Sequence, residues 1–385
     1  MRVMISCGEP SGDLYAGALA AEILKEEPSA TIVGFGGDRL AAAGATLIQN
    51  FSGLSVTGLL EVVRVLPRTY ATYRRLIADA EQHPPDVFVA IDFPDFNFAL
   101  ARALKKRGIP IVYYISPQLW AWRASRMQTM KRLADRVLVI FPFEEQIYRD
   151  AGVPVEWVGH PLFDVTPPRL SRAEFLTAHG LDPSRAVLAL LPGSRTNEVR
   201  SILPDVVQAA ILIRRQVPGV QFVVARAPHL DDRLFEPLQL LASNAGGVVI
   251  IDGQADDVLA SADAAIVASG TVTVQAALHE CPMVVVYRLS PLTYRLGKPF
   301  VHVDTYAMAN LVAGRRVVPE LIQDAFTPEA AGSEAVRMLT DHEHAARIRR
   351  DLREVKSRLG DAGASRRAAR AVLQVARGPR PRAVH

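Results

Sequence analysis

Two carboxylates follow one of the most apolar segments of the chain. Val87–Ile91 is a short apolar run rich in β-branched residues, which is typical of a strand buried on both faces of a parallel sheet. Asp92 comes directly after it, so its carboxylate is expected at the sheet edge where open α/β proteins bind ligands. Asp95 and Asn97 are expected to cap a helix that begins near Phe98. Asp92 is therefore a candidate functional group, whereas Asp95 is interpreted as a capping residue.

A glycine-rich loop, Gly-Glu-Pro-Ser-Gly-Asp at 8–13, follows the first strand-like run. It contains Ser11, Gly12 and Asp13, and Ser11 or Asp13 is the expected N-cap of the next helix. Such a turn can bind an anion at the helix N-terminus, but a turn that only caps the helix fits equally well. The dinucleotide-binding pattern Gly-x-Gly-x-x-Gly is absent.

Two loops in the second half of the chain, 190–198 and 268–271, each join a strand-like run to a helical pattern. The free amides of a helix start, together with the permanently charged guanidinium of Arg195, suit a diphosphate. The Walker ending Gly-Lys-Ser/Thr is absent. Two such elements in one domain indicate a nucleoside diphosphate ligand. The residues expected to hold it are Gly193, Ser194, Arg195, Ser269, Gly270 and Thr271.

Two other motifs leave alternatives open. Trp120 and Trp122 follow the strand-like run 111–115, where they could line an acceptor pocket or pack at a domain seam. His160, in Val-Gly-His-Pro, could face a cleft or make a hydrogen bond at a hinge.

Strand-like and helical segments alternate along the whole chain. Residues 14–26, 98–107 and 125–134 have helical spacing, and apolar runs lie between them at 2–6, 31–36, 87–91, 111–115, 136–140 and 155–158. The second half repeats such runs at 187–191, 221–225, 248–251, 264–268 and 283–287. This alternation predicts two Rossmann-like α/β domains with doubly wound parallel sheets, which face each other across a cleft.

The 385 residues exceed one ordinary hydrophobic core, and prolines at 161, 167 and 168 indicate a linker. We expect domains at 1–165 and 166–340. Cys7 and Cys281 lie beside apolar runs, which predicts buried thiols in a reducing compartment. No metal-ligand spacing, signal-peptide core or membrane-spanning apolar run occurs in the sequence, so a cytoplasmic protein is expected.

The net charge of +4 comes from the C-terminal segment, because residues 341–385 contain 12 Arg or Lys and only 5 Asp or Glu. This segment lacks the interleaved aromatic residues of single-stranded nucleic-acid binders, so we expect no nucleic-acid partner. A solvated helix face or attraction to an anionic membrane surface is favoured.

Residues 54–75 combine apolar side chains with arginines. Leu59, Leu60, Val63 and Leu66 have offsets 0, 1, 4 and 7, which places them on one helical face. This pattern suits a helix that dips into lipid headgroups, although periodicity alone favours a buried helix or a dimer contact.

Seven motifs together resemble those of the lipid-A-disaccharide synthase family, in the same order, from Arg2 to about Leu373. They lie at 8–13, 91–97, 116–123, 158–161, 191–195, 268–271 and 310–315. The resemblance implies an inverting glycosyltransferase of the GT-B type. Its substrates would be UDP-2,3-diacylglucosamine and 2,3-diacylglucosamine 1-phosphate, and its products the β-1,6-linked disaccharide 1-phosphate and UDP.

The resemblance also implies where these steps take place. Domain 1–165 would bind the acceptor, domain 166–340 the UDP-sugar, and segment 341–385 would comprise a helix at 345–376 that crosses back to the first domain, plus a basic tail. It implies peripheral attachment to the cytoplasmic face of the inner membrane, which strengthens the interfacial interpretation of 54–75. The oligomeric state is left open.

Roles for individual residues follow from the resemblance. Asp92 would be the general base for the acceptor hydroxyl, and Arg195 with the 193–195 amides would neutralise the departing diphosphate. We expect no cofactor and no obligatory metal. The residues expected near the acceptor are Ser11, Gly12, Asp13, Trp120, Trp122, His160 and Asn310.

The chain departs from the family at Gln275, where a glutamate that holds the ribose is usual. An amide oxygen can accept a hydroxyl proton, but the bond is weaker without charge. Gln275→Glu is therefore expected to tighten UDP binding.

Two alternatives remain at this point. A UDP-N-acetylglucosamine 2-epimerase would share the domain plan and the nucleotide loops, but it needs no lipid surface and would leave the apolar segment 54–66 unexplained. A nucleotide-sensing or nucleic-acid-binding protein would explain the basic tail, but it would leave Asp92 without a role.

Overall fold

The computed structural model describes residues 1–51, 59–117, 119, 126–165, 168, 170–242, 247–288 and 305–379, with the backbone alone at 59–65 and 242. Two compact units make up the chain. Unit 1 comprises Met1–Val165 and Leu359–His385, and unit 2 comprises Thr166–Arg358.

Unit 1 is built on a seven-stranded sheet in the order β3-β2-β1-β4-β5-β6-β7, and all of its strand pairs are parallel. Its strands are β1 (Arg2–Cys7), β2 (Thr31–Gly36), β3 (Thr46–Asn50), β4 (Val87–Ile91), β5 (Ile111–Tyr114), β6 (Arg136–Val139) and β7 (Val155–Trp157). Its helices are α1 (Pro10–Glu26), α2 (Asp38–Ala42), α3 (Leu59–Gln82), α4 (Pro94–Lys105), α5 (Arg126–Leu133), α6 (Pro142–Asp150) and α7 (Leu162–Val165), with a C-terminal helix given below.

Unit 2 is built on a six-stranded parallel sheet in the order β10-β9-β8-β11-β12-β13. Its strands are β8 (Val187–Leu191), β9 (Gln221–Arg226), β10 (Val248–Asp252), β11 (Ala264–Ala268), β12 (Met283–Tyr287) and β13 (Glu320–Ile322). Its helices are α8 (Arg172–Ala178), α9 (Thr196–Gln216), α10 (Gln239–Ala242), α11 (Ala255–Ser261), α12 (Val272–Leu278), α13 (Met308–Ala313), α14 (Pro328–Thr340) and α15 (His342–Arg358), with 3₁₀ turns at Asp232–Leu238 and Gln323–Ala325. The chain then returns to unit 1 as α16 (Ala364–Arg377).

Each sheet reverses its strand order at one place. In unit 1 the reversal lies between β1 and β4, where Cys7 pairs with Ile91. In unit 2 it lies between β8 and β11, where Leu191 pairs with Val267. Helices that leave such a switch point run to opposite faces of the sheet, so a crevice opens at the carboxyl ends of the two strands.

The prediction of two doubly wound α/β domains is confirmed. The central strands β4, β8 and β11 are buried throughout, as their continuous apolar runs predict. Cys7 and Cys281 are buried free thiols, as expected. The sequence does not predict β3, which is only partly buried, or β13, which has three residues. Neither has the apolar run by which the other strands are recognised.

The segment 345–376, expected as one helix, consists of the end of α15 and most of α16. Between them Gly360 and Gly363 have φ of +95° and +94°, a conformation that glycine adopts without steric cost. Arg366 and Arg370 of α16 both pair with Glu26 at the end of α1. Part of the basic C-terminal charge is thus engaged within unit 1.

Candidate active site and nucleotide-binding loops

Asp92 lies immediately after β4, at the switch point of unit 1, and its side chain is half-buried. Asp92 and Phe93 both have φ of +46°, and Ile115, after the neighbouring strand β5, has φ of +57°. Non-glycine residues in this left-handed region cost of order 1–3 kcal/mol each and cluster at functional sites. Three such residues at one sheet edge mark it as a candidate active site.

A buried hydrogen-bond network holds the Asp92 turn in this shape. The Asn97 amide nitrogen donates to the carbonyl oxygens of Asp92 at 2.8 Å and Ile91 at 3.2 Å. Its amide oxygen accepts from the Ser6 hydroxyl at 2.7 Å, which links the turn to β1. The Tyr113 hydroxyl donates to the same Asp92 carbonyl at 2.9 Å, and burial raises the pKa of Tyr113 well above its usual value. The backbone of Asp92 is therefore fixed from two sides.

The capping roles expected for Asp95 and Asn97 are wrong. Helix α4 begins at Pro94, one turn earlier than expected, and Phe93 is the N-cap. Pro94 suits the first helical position because that residue needs no amide hydrogen-bond partner. Asn97 therefore lies within the helix, and the exposed Asp95 pairs with Arg126.

Residues 8–13 lie against the Asp92 turn. A Cβ atom on Gly8 would come within 2.5 Å of the Phe93 ring, and one on Gly12 would lie 3.2 Å from Cβ of Cys7. The absence of side chains at these glycines permits this packing. Helix α1 begins at Pro10 after Glu9, so Ser11 lies in its first turn and the N-cap expected at Ser11 or Asp13 is wrong.

Asp13 is buried, and its carboxylate caps a different helix. It accepts hydrogen bonds from the backbone N–H groups of Gly37 at 2.7 Å, Arg39 at 2.9 Å and Leu40 at 3.2 Å. These groups belong to the start of α2, whose free amides favour a carboxylate. Asp13 thus joins α1 to α2, and this structural task accounts for its burial.

His160 is fully enclosed in unit 1, and burial lowers its pKa to about 3. Its Nδ1 accepts from the backbone N–H of Leu162 at 3.2 Å, so the neutral ring carries its proton on Nε2. The His160 backbone N–H donates to the Leu359 carbonyl at 3.1 Å. These contacts support the hydrogen-bonding interpretation of this residue. The other aromatic candidates, Trp120 and Trp122, lie outside the described residues.

The first loop of unit 2 surrounds an internal anion. The Glu198 carboxylate accepts from the backbone N–H groups of Ser194 at 3.1 Å and Arg195 at 3.2 Å, and from the Arg195 guanidinium at 3.0 Å. Gly193 has φ of +131°, and a Cβ atom there would lie 2.6 Å from Cβ of Glu198. The loop therefore has the geometry of an anion cradle, with a carboxylate of α9 bound in it.

The second loop follows β11 on the other side of the same switch point. The Ser269 backbone N–H donates to the Val286 carbonyl at 2.9 Å, which holds the loop to β12. Gly270 has φ of +153° with open space around it, and Thr271 is exposed. The Gly270 carbonyl accepts from the Thr273 hydroxyl at 2.8 Å. The structure thus brings both predicted diphosphate loops to the switch point of unit 2.

Gln275 lies one turn into α12 and contacts an acidic residue of α11. Its amide nitrogen donates to both carboxylate oxygens of Asp256, at 3.0 and 3.2 Å. His279 Nε2 lies 3.0 Å from Oδ1 of the same carboxylate. A glutamate at 275 would therefore face a second carboxylate, which reverses the expectation that it would tighten nucleotide binding.

Asn310 is buried in unit 2, and its side chain is used by the fold. Its amide nitrogen donates to the Val318 carbonyl at 3.0 Å and to Glu320 at 2.6 Å. Its oxygen accepts from the backbone N–H groups of Val317 at 2.7 Å and Val318 at 3.0 Å. These bonds fill the capacity of a carboxamide, so Asn310 shapes the segment before β13.

Across the part of the chain that the structure describes, no group of three or more His, Cys, Asp or Glu side chains could hold a metal ion. Glu198, Asp256 and the clamp made by Asn97 were not recognised from the sequence. Glu198 carries a local signal, since a glutamate three residues after an N-cap is typical of a capping box. Asp256 carries none, because tertiary structure alone brings it to Gln275.

A family model described as lipid-A-disaccharide synthetase matches residues 3–375. The chain belongs to this family. A lipid-A-disaccharide synthase from Geobacter metallireducens is 44% identical over 97% of both chains. One from Koribacter versatilis is 42% identical over 98% of this chain and 99% of the relative. As a member of the lipid-A-disaccharide synthetase family, the chain is a glycosyltransferase of lipid A biosynthesis.

Solved structures show the same fold at low sequence identity. UDP-N-acetylglucosamine 2-epimerase from Neisseria meningitidis, bound to UDP-GlcNAc, has a TM-score of 0.66 and 14% identity over 97% of this chain and 100% of that one. The calicheamicin glycosyltransferase has a TM-score of 0.60 and 18% identity over 97% and 98%. The epimerase alternative thus shares the architecture, whereas the sequence match assigns the lipid-A-disaccharide synthetase family.

Proposed function

We propose that this chain transfers 2,3-diacylglucosamine from UDP-2,3-diacylglucosamine to the 6-hydroxyl of 2,3-diacylglucosamine 1-phosphate. The products are the β-1,6-linked disaccharide 1-phosphate and UDP, formed with inversion at the anomeric carbon. Family membership supports this reaction. The observation that carries the site assignment is the position of Asp92 and of both glycine loops at the two switch points.

Unit 1 binds the acceptor, and Asp92 takes the proton of its 6-hydroxyl. Three features of this edge support the role: Asp92 follows a fully buried strand, its backbone is clamped by Asn97 and Tyr113, and its side chain remains half-buried. A fixed backbone limits where the carboxylate can reach, which favours proton transfer from one position. Ser11 and Gly12 lie in the first turn of the adjoining helix α1 and complete this edge.

Unit 2 binds UDP. The Ser194 and Arg195 amides already converge on a carboxylate, and a diphosphate presents the same kind of acceptor with more charge. We infer that the Arg195 guanidinium exchanges Glu198 for the diphosphate when the nucleotide binds. Ser269, Gly270 and Thr271 supply the second contact, and Gln275 accepts from the ribose. This arrangement neutralises the leaving group with protein donors alone, and the reaction is proposed without a cofactor or metal.

The protein acts as a peripheral protein on the cytoplasmic face of the inner membrane, because both substrates carry acyl chains. Within the described residues no helix is long and apolar enough to cross a bilayer. On α3, Leu66 is 54% exposed and Tyr70 is 62% exposed, and Arg68 and Arg74 are exposed beside them. Large apolar side chains next to arginines suit an interfacial helix.

The predicted lipid face includes Leu59, Leu60 and Val63, whose side chains lie outside those that the structure describes. The test therefore uses Leu66 and Tyr70. A Leu66→Ser, Tyr70→Ser variant should bind anionic vesicles about fivefold less, since two apolar contacts of ~0.5 kcal/mol or more are lost. Leu240→Ser is the matched control, because Leu240 is 53% exposed on unit 2. Equal vesicle binding, or a large fall in melting temperature, would contradict an interfacial role.

The reaction itself is tested by incubating the full chain with both substrates and identifying the product by mass spectrometry. The expected result is the disaccharide 1-phosphate, with release of one UDP per bond formed. A parallel reaction without acceptor is the control. Turnover of the UDP-sugar in that control, with no disaccharide in the complete reaction, would favour an epimerase and overturn the proposal.

A further inference from the structure

Asp256, Gln275 and His279 form a polar cluster that joins α11 to α12. Asp256 lies in the first turn of α11, and Gln275 and His279 lie one turn apart on and just beyond α12. Asp256 is about one-fifth exposed at 20%, and His279 is 8% exposed. The cluster is therefore largely but not completely shielded from solvent.

The chemistry of the Asp256 carboxylate fixes the orientation of the Gln275 amide. A carboxylate only accepts hydrogen bonds, so the group that contacts both of its oxygens must be the NH₂ of Gln275. The amide oxygen then points away from Asp256. His279 Nε2 must also be a donor to Oδ1, and this bond restrains the carboxylate from a second helix position.

We propose that Asp256 is a positioning residue that makes Gln275 present its amide oxygen, and not its NH₂, to the ribose hydroxyls of the nucleotide. This inference rests on the proposed function of unit 2. Gln275 lies one turn after the N-cap Thr271, and its backbone N–H donates to the Thr271 carbonyl at 3.2 Å, so the two residues share one side of the start of α12, next to the loop that is proposed to hold the diphosphate. The negative charge next to the NH₂ polarises the amide and strengthens its oxygen as an acceptor.

The pairing gives the two positions a reciprocal relation. With Asp256 present, a neutral amide at 275 is the acceptor that fits, because two carboxylates about 3 Å apart repel each other and one must take up a proton. With an amide at 256 instead, a carboxylate at 275 could accept from that amide and still face the ribose. Each single substitution should therefore weaken the contact with the ribose, and the double substitution should restore it.

The experiment measures the dissociation constants of UDP and 2′,3′-dideoxy-UDP by isothermal titration calorimetry with the full chain. The wild type should bind UDP about fivefold more tightly than 2′,3′-dideoxy-UDP, because one or two hydrogen bonds to the ribose hydroxyls contribute about this much affinity. Asp256→Asn and Gln275→Glu should each lose most of this preference, with little change for dideoxy-UDP. The double variant should recover it. Asp232→Asn, an exposed carboxylate in the same unit, is the control and should match the wild type.

The possible results separate the inference from the proposed function. If Gln275→Ala removes the preference for UDP but Asp256→Asn retains it, Asp256 has no positioning role, and the ribose contact stands. If the double variant is as poor as the single variants, the reciprocal relation is overturned. If the wild type binds neither nucleotide, the nucleotide site assigned to unit 2 is wrong. Melting temperatures of all variants show whether a change in binding reflects unfolding. If Asp256→Asn alone does not fold, the comparison of Gln275→Glu with the double variant still tests the inference.

Discussion

The two switch points have the same strand order but are built in different ways. At the β1–β4 edge of unit 1, Asp92, Phe93 and Ile115 adopt left-handed backbone conformations without being glycine. At the β8–β11 edge of unit 2, the corresponding conformations belong to Gly193 and Gly270. Unit 1 holds its turn with a buried side-chain network, whereas the polar groups of the unit 2 loops are partly or fully exposed.

We propose that this difference follows from what each edge binds. General-base catalysis requires one carboxylate in a fixed position, so the turn must carry a side chain. The surrounding contacts must then offset the backbone strain of that residue. A diphosphate is recognised by several backbone amides, and glycine lets the backbone approach the ligand without a side chain in between. On this proposal, one fold supports a side-chain site in unit 1 and a backbone site in unit 2.

The largest effect is expected at the side-chain site. Asp92→Asn should retain the fold and UDP affinity but reduce turnover at least ~100-fold, because only the proton acceptor is removed. The matched control is Asp95→Asn, three residues away on the first turn of α4, which should stay near wild-type turnover. Turnover assays with saturating UDP-sugar make the comparison. A near-normal rate in Asp92→Asn would remove it from the mechanism.

The hydrogen-bond network that holds the Asp92 turn can be disrupted without changing the Asp92 carboxylate. Asn97→Ala should lower the free energy of unfolding by about 2 kcal/mol, because buried partners in β1 and at Asp92 lose their hydrogen bonds. Urea denaturation measures this change. Asn50→Ala removes an exposed amide contact to Asp38 and should cost less than about 0.5 kcal/mol. Equal costs for the two variants would mean that the network does not hold the turn.

At the proposed diphosphate site of unit 2, the Arg195 guanidinium adds a positive charge beside the backbone amides. Arg195→Ala should weaken UDP binding by about 1.5 kcal/mol, at the low end for a charge-assisted contact because Arg195 already binds Glu198. Arg200→Ala, which replaces an exposed arginine in the first turns of α9, is the control. Calorimetric titration with UDP measures both. If the two variants bind UDP alike, the diphosphate lies elsewhere.

The smallest effect is expected when Gly270 of the second unit 2 loop is replaced. Gly270→Ala should cost about 1 kcal/mol of stability, because φ of +153° is unfavourable for alanine although no atom obstructs its Cβ. Gly332→Ala, within α14, should be neutral or slightly stabilising, since alanine favours helix and meets only ordinary contacts there. Thermal denaturation of both variants decides whether backbone conformation shapes the unit 2 loop.

The sheets and the position of Asp92 could be predicted because they depend on local patterns. A buried parallel strand appears as a continuous apolar run, and a polar residue at its end must lie at the ligand edge. The starts of α1 and α4 could not be predicted from capping residues, because proline at the first helical position extended both helices. The bonds from Asn97 to Ser6 and from Gln275 to Asp256 join separate elements, so no local pattern encodes them.

The return of the chain to unit 1 has a consequence for how the protein is synthesised. Unit 2 is continuous in sequence, but unit 1 needs α16, whose buried Ala368, Ala371 and Val372 belong to the last helix that the structure describes. During translation, unit 2 can therefore fold as it emerges, while unit 1 remains incomplete until residues beyond 370 have left the ribosome. Limited proteolysis of stalled nascent chains should detect this order as early protection of unit 2 and late protection of β1 and β4.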